Sequence, residues 1–154
     1  MDLPTMDDVR DAATRLAPHA RRTPVLTSRT IDELVGCRVH AKAEHLQRTG
    51  AFKFRGATNA VLALDDAAAA RGVAAHSSGN HAAALALAAR RRGVPCHVVM
   101  PADAPRSKQE ATAGYGAAIV LCEPTLDARE QALVFFFNDT ATTEIHPYDL
   151  PEVI

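Results

Sequence analysis

The stretch VAAHSSGNHAAALALAARRRGVPCHVVM, residues 73–100, decides the fold. It opens on a short apolar run, Val73 to His76, and passes through Ser77-Ser78-Gly79 into an Ala/Leu-rich segment from Asn80 to Arg92. Gly93 stops that segment and Pro95 lies just beyond, the usual order at a helix C-terminus. Cys96 to Met100 is a second apolar run. Strand, helix and strand in succession make a βαβ unit, and an unbroken apolar run is the mark of a strand buried on both faces.

The same rhythm continues outward. Pro105 to Gly114 reads as a helix, Ala117 to Leu121 as another buried strand, and Leu126 to Ala132 as the start of a further helix. Upstream, Phe54 to Ala70 is helical by composition, and Arg38 to His45 alternates as a strand does. Thr5 and Asp8 resemble a capping box with Asp in the place of Glu or Gln. Val9, Ala12, Ala13, Leu16 and Ala17 then recur at helical spacing up to Pro18. Strands alternating with helices predict an α/β fold whose parallel sheet is covered on both faces. One segment breaks the pattern: Val134-Phe135-Phe136-Phe137 gives way to Asn138–Ile145, which has no helical period. Asn138–Ile145 matches the in-frame translation of a widely used sequencing adapter, so residues 134–145 are read as a sequencing artefact spliced into a genuine gene. A natural Phe-rich helix end and loop is the alternative.

The chain has 154 residues, 47% hydrophobic and 23% charged, the profile of a folded domain. A net charge of −1 and a pI of 6.6 favour neither nucleic acid nor an anionic membrane as a partner. The longest apolar run, Ala82 to Ala89, falls far short of the roughly 20 residues that span a bilayer. Met1 to Asp8 is acidic and lacks the basic start of a signal peptide. Cys37, Cys96 and Cys122 are odd in number and far apart, as expected of buried thiols in a reducing compartment. A cytoplasmic location follows. Arg90-Arg91-Arg92 suits the negative end of its own helix, and Asp65-Asp66 reads as a solvated helix end.

Two strings carry able side chains. Thr49-Gly50-Ala51-Phe52-Lys53-Phe54-Arg55-Gly56-Ala57 joins a strand to a helix. Gly50 permits a tight turn, and Lys53 falls near the first turn of the helix. The positive end of the dipole there favours the neutral amine that attacks an aldehyde. A solvated helix-face lysine has the same spacing. Ser77-Ser78-Gly79-Asn80-His81-Ala82 follows a buried strand and opens a helix, where hydroxyls and backbone N–H groups converge on an anion. Open α/β sheets place ligands at such carboxyl ends of strands. An ordinary N-cap made by Ser78 or Asn80 is the plainer reading. His81 has no second ligand at metal spacing, so no metal is assigned.

Together these strings resemble the signatures of the fold-type II pyridoxal-phosphate (PLP) enzymes, in their threonine dehydratase and serine racemase branch. Thr49–Ala57 is similar to the family's Ser/Thr-Gly-Ser/Ala-Phe-Lys-x-Arg-Gly-Ala pattern, with Glu44 and Gln47 upstream, and Ser77–His81 to its Ser-Ser-Gly-Asn-His loop. Further matches are Arg22-Thr23-Pro24, Met100-Pro101 with Ala104-Pro105 and Lys108, Tyr115-Gly116-Ala117, and His146-Pro147-Tyr148-Asp149. The resemblance implies a three-layer αβα fold with a parallel sheet, like that of tryptophan synthase β, and truncated. Residues 1–68 would begin the larger PLP-binding domain and residues 72–148 would form the smaller domain that closes over substrate. Position by position, it implies Lys53 as the Schiff-base lysine and base at the substrate Cα, and Phe52 packed on the pyridine ring. Asn80 would bond the phenolic oxygen, and Ser77, Asn80 and His81 would hold the substrate carboxylate. Ser78 would be the second acid/base on the face opposite Lys53.

The implied function is L-serine/L-threonine ammonia-lyase, giving a 2-oxo acid and ammonia by β-elimination. Serine racemase and 3-hydroxyaspartate dehydratase share every motif here, and a non-catalytic module binding a small anion at Ser77–His81 is the rival of another class. The implied partner is a hydroxy amino acid, with neither nucleic acid nor membrane, and the full-length enzyme is expected to be a homo-oligomer. Ala82-Ala83-Ala84 stands where the family often has Gln or Gly, which leaves substrate size open. The family's glycine-rich phosphate loop, its Ser or Cys partner of the pyridine nitrogen and its divalent-cation ligands do not fall within these residues. The polypeptide is therefore expected to be a fragment, inactive by itself.

Overall fold

The computed structural model describes residues 4–140 and 142–145; the His146–Asp149 motif and the first three residues lie outside them. In chain order the elements are α1 (Met6–Leu16), β1 (Val25–Leu26), α2 (Arg29–Val35), β2 (Ala41–Lys42), and 3₁₀ turns at Glu44–Leu46 and Arg48–Gly50. There follow α3 (Lys53–Ala63), α4 (Asp66–Arg71), β3 (Val73–His76), α5 (Asn80–Arg92) and β4 (Cys96–Pro101). The chain continues through α6 (Arg106–Gly114), β5 (Ala118–Cys122), α7 (Leu126–Thr140) and β6 (Thr143–Glu144).

The main sheet has the order β5-β4-β3-β6 and every pairing in it is parallel. Alternation along its strands separates two apolar layers. Val73, Ala75, Val98 and Met100 face a cluster with Phe54 and Val61 of α3 and Leu85 of α5. Ala74 and Val99 face the other way, onto Leu133 of α7. Helices thus cover both faces of a parallel sheet, and the architecture is α/β, as expected. The β3–α5–β4 unit matches its expected bounds almost residue for residue, with Gly93 left-handed (φ 77°) behind α5. The Thr5–Asp8 capping box is formed in both directions.

Several expectations need correction. The Arg38–His45 alternation yields a strand only at Ala41–Lys42, because Val39 N donates to Asp32 Oδ1 at 2.8 Å and the chain winds into a 3₁₀ turn from Glu44. Its antiparallel partner Val25–Leu26, and helix α2 between Ser28 and Gly36, were not expected. The single helix expected over Phe54–Ala70 is two. Leu64 is extended (ψ 142°), and Asp65 accepts from Ala68 N at 2.7 Å, so Asp65-Asp66 starts a helix rather than ending one. Arg92 explains the break: its guanidinium donates to Val61 O and, at 2.7 Å, to Leu64 O. It serves the end of α3, not only its own helix. β5 is half-exposed rather than buried, since among the described residues it is an edge strand. Of the cysteines, Cys37 is exposed, Cys122 partly buried and only Cys96 buried.

The segment read as an insert also departs from expectation. Helix α7 continues to Thr140 instead of losing its period after Val134. Thr143 N donates to Gly72 O (3.1 Å) and Ile145 N to Ala74 O (2.9 Å), which adds β6 to the sheet beside β3. Among the described residues no helix is long and apolar enough to cross a membrane.

Gly72 sits where α4 turns into β3, at φ +88°. A Cβ there would lie 2.9 Å from both the Cβ and the carbonyl oxygen of Pro95, which itself accepts Val73 N. Gly72→Ala is expected to cost about 2 kcal/mol or more of stability, read from the urea midpoint, because both strain and overlap act together. Burial also pushes the Cys96 thiol up to about 12. Alkylation at pH 8 should therefore modify Cys37 quickly and Cys96 only after denaturation, as peptide mass analysis would show.

Candidate active site

The Ser77–His81 loop is set by the sheet. Ser77 N donates to Val99 O at 3.0 Å, extending the β3–β4 ladder, and Ser77 Oγ then accepts Gly79 N at 3.3 Å. The N-cap of α5 is Gly79, and no side chain caps it. Neither Ser78 nor Asn80 is the ordinary cap of the plainer reading. Asn80 is exposed, Ser77 and Ser78 are half-buried, and His81 is buried. The His81 imidazole turns inward, its Nε2 3.0 Å from Ile145 O at the end of β6. Lys108 of α6 donates to Asn80 Oδ1 at 3.4 Å. Its sequence signal was a motif match without a role; only the packing of α6 against α5 brings it here.

Lys53 is the first residue of α3 and is half-buried. Thr49 (φ 61°) and Gly50 (φ 73°) are consecutive left-handed residues that turn the chain into this helix. Its N-cap, Phe52, makes no side-chain capping bond, whereas α1, α2 and α4 begin on Thr5, Ser28 and Asp65. Lys53 Nζ stands 4.9 Å from the centroid of the ring of Phe52, a residue 41% exposed. Phe54 is fully buried and anchors the helix in the core.

Behind Lys53 lies a polar network. Arg55 grips Glu44 with both arms, Nε to Oε2 at 2.9 Å and Nη2 to Oε1 at 2.8 Å, and both side chains are nearly nine-tenths buried. Thr23 Oγ1 donates to Glu44 Oε1 at 2.5 Å, and Arg55 Nη2 also reaches Arg21 O at 3.1 Å. Gln47 accepts from Arg21 N and donates to Arg21 O, while Lys42 Nζ donates to Thr23 O. The Arg55 guanidinium, followed by the Thr23 hydroxyl, holds the Glu44 carboxyl below its ordinary range against the cost of burial.

Helices α3 and α5 pack along their length, and Arg92 joins their last turns. Their first turns, bearing Lys53 and Asn80, accordingly share the other end of the pair. That end offers a primary amine, an amide, two hydroxyls and two helix N-termini. Among the described residues no three His, Cys, Asp or Glu side chains gather where they could hold a metal.

A family model described as pyridoxal-phosphate dependent enzyme matches residues 16–154. The chain belongs to this family. It is 49% identical over its full length to a β-hydroxyaspartate dehydratase of Paracoccus denitrificans, covering 49% of that protein. Over 97% of its length it is 45% identical to a serine racemase of Dictyostelium discoideum, covering 46% of it. The crystal structure of a threonine deaminase from T.th. superposes with a TM-score of 0.87 at 45% identity, over 97% of this chain and 47% of that one. The chain thus spans about half the length of the relatives it matches, and its α/β fold with a parallel sheet is the family's.

The ion pair behind Lys53 has a consequence for pH. A carboxylate held low in the folded state stabilises above its unfolded value, and that contribution is lost as pH falls through the folded one. Glu44→Gln should cost about 3 kcal/mol at pH 7, since it leaves a buried guanidinium without its counter-charge. The gap to the parent should narrow below the ordinary carboxyl value of 4.5. Urea unfolding at pH 7, 4 and 3 measures it; a gap independent of pH would contradict the assignment.

Proposed function

We propose that this chain carries the lysine and carboxylate-binding part of a PLP-dependent ammonia-lyase that acts on a β-hydroxy amino acid, L-serine or L-threonine. The observation that supports this most is the pair of helix N-termini without side-chain caps at one end of α3 and α5, one bearing Lys53 and the other Asn80. The donor set fits the cofactor, because a primary amine suits its aldehyde and an amide N–H suits its ionised phenolic oxygen. Bound PLP supplies an electron sink for the charge that develops at the substrate Cα.

The chain's own residues then have distinct tasks. Lys53 would hold the cofactor through its aldehyde carbon, and its neutral amine would take the Cα proton. Asn80 offers its amide N–H to the phenolic oxygen, its own oxygen being turned to Lys108. The substrate carboxylate lies on the Ser77 hydroxyl, Asn80 and the first-turn N–H groups of α5. His81 contributes its backbone N–H, since its ring faces Ile145. Phe52 covers the pyridine ring. Ser78 would be the second acid/base, and a proton returned to Cα from the side opposite Lys53 would invert it, the racemase outcome. With a proton passed on to it, as from the Lys53 ammonium, the β-hydroxyl would leave as water, and the enamine set free would hydrolyse to a 2-oxo acid and ammonia.

A second reading takes 3-hydroxyaspartate as the substrate. Lys108 favours it, because it places a cation beside Asn80 where an extra carboxylate could be met. The name of the Paracoccus relative, a β-hydroxyaspartate dehydratase, agrees with it.

The sequence contains three lysines, Lys42, Lys53 and Lys108, which makes the test clean. Incubated with PLP, reduced with borohydride and digested, the chain should carry the pyridoxyl group on Lys53. A label mainly on Lys42 or Lys108 would overturn the reading, and no label at all would favour the non-catalytic anion-binding module. Oxo-acid release from L-threonine, L-serine and 3-hydroxyaspartate by a full-length enzyme that contains this chain, compared side by side, separates the substrates.

A further inference from the structure

We propose that Thr23, Glu44 and Arg55 act together as positioning residues for Lys53; the inference rests on reading Lys53 as the Schiff-base lysine. The first turn of α3 lacks the usual local means of fixing its direction. Its N-cap makes no side-chain bond, and the two residues that turn the chain into it are both left-handed. Such an entry lets the helix start rotate about Thr49–Gly50 unless something further along holds it. The buried Phe54 anchors it in the core, and Arg55, two residues beyond Lys53, sets its direction. Its planar fork meets the Glu44 carboxylate side-on, through Nε and Nη2, and the same guanidinium also takes Arg21 O, which ties it in this orientation. Thr23 fixes the carboxylate in turn, through a 2.5 Å bond to the oxygen that Arg55 Nη2 shares.

The cost of this arrangement argues that it serves geometry. A desolvated ion pair is a weak stabiliser compared with apolar side chains of the same volume. Here it joins three separate segments, residues 21–23, 44–47 and the first turn of α3, of which the first belongs to no helix or strand. Gln47 and Arg48 sew the same segments together from the other side, through Arg21 and His19 O. The network therefore fixes the frame from which Lys53 projects. An ångström of misplacement at a reacting atom has a large effect on rate, so Lys53 should respond to it more than other amines do.

The test measures Schiff-base formation by amine competition within one sample. The chain and its Arg55→Lys, Glu44→Gln, Thr23→Val and Thr23→Ser variants are treated briefly with PLP and borohydride, and the ratio of pyridoxyl-Lys53 to pyridoxyl-Lys108 is read by peptide mass. Folded fractions are matched by circular dichroism. The ratio should fall at least about ten-fold in Arg55→Lys and Glu44→Gln, fall less in Thr23→Val, and return to the parental value in Thr23→Ser. An unchanged ratio in variants that merely unfold at lower temperature would overturn the inference and leave the functional reading intact. A parent chain that shows no preference for Lys53 would overturn both. Should the charge variants fail to fold, the valine and serine pair decides alone, because it changes only the hydroxyl that orients Glu44; equal ratios there would sink the proposal.

Discussion

Because β3, β4 and β5 run parallel, each must be followed by a crossover, and the segments that leave the sheet all do so at the same edge. This one constraint gathers Ser77–Asn80 after β3 and the start of α6 after β4 at that edge, which explains how Lys108 meets Asn80 across 28 residues of sequence. It also orients the helix dipoles alike, so that positive ends collect where the strands stop. The site is thus a by-product of sheet direction before it is a matter of individual side chains. The side chains then add to it: a glycine at the N-cap of α5, rather than Ser or Asp, starts the helix without a side-chain cap.

Lys53 enters this edge from outside the parallel sheet, on a helix that precedes it. Its placement consequently depends on a second set of forces, the ion pair of Arg55 with Glu44 and the apolar anchor of Phe54. The contrast is instructive. Asn80 is fixed by backbone ladders, which cost little to maintain, whereas Lys53 is fixed by desolvated charge, which sets direction sharply but is sensitive to pH and to the loss of either partner.

What was legible in the sequence follows from which interactions are local. The β3–α5–β4 unit could be read almost residue by residue because an apolar run, an Ala/Leu period and a Gly93 stop all lie within the unit itself. Lys53 and Ser77–Asn80 stood out because each lies in a contiguous string of suitable residue types. The pairing of Val25–Leu26 with Ala41–Lys42, the break of the helix at Leu64 and the exposure of β5 were not legible. Each is decided by a residue distant in sequence: Asp32 on Val39 N, Arg92 on Val61 O and Leu64 O, and the lack of a further strand beside β5 among the described residues. Arg92 shows the limit best. As one of three arginines at a helix end it reads as a dipole partner, and nothing in its neighbourhood names the carbonyls it crosses to.

The same arginine has a mechanical meaning. Two packed helices joined at one end by a two-armed clamp can turn against each other about that clamp more easily than they can slide past it. Displacement then grows with distance from the pivot. It is smallest at Val61 and Leu64, and largest at the opposite end, where Lys53 and Asn80 stand. The placing of amine and amide is therefore tied to a contact at the far end of the helices that carry them.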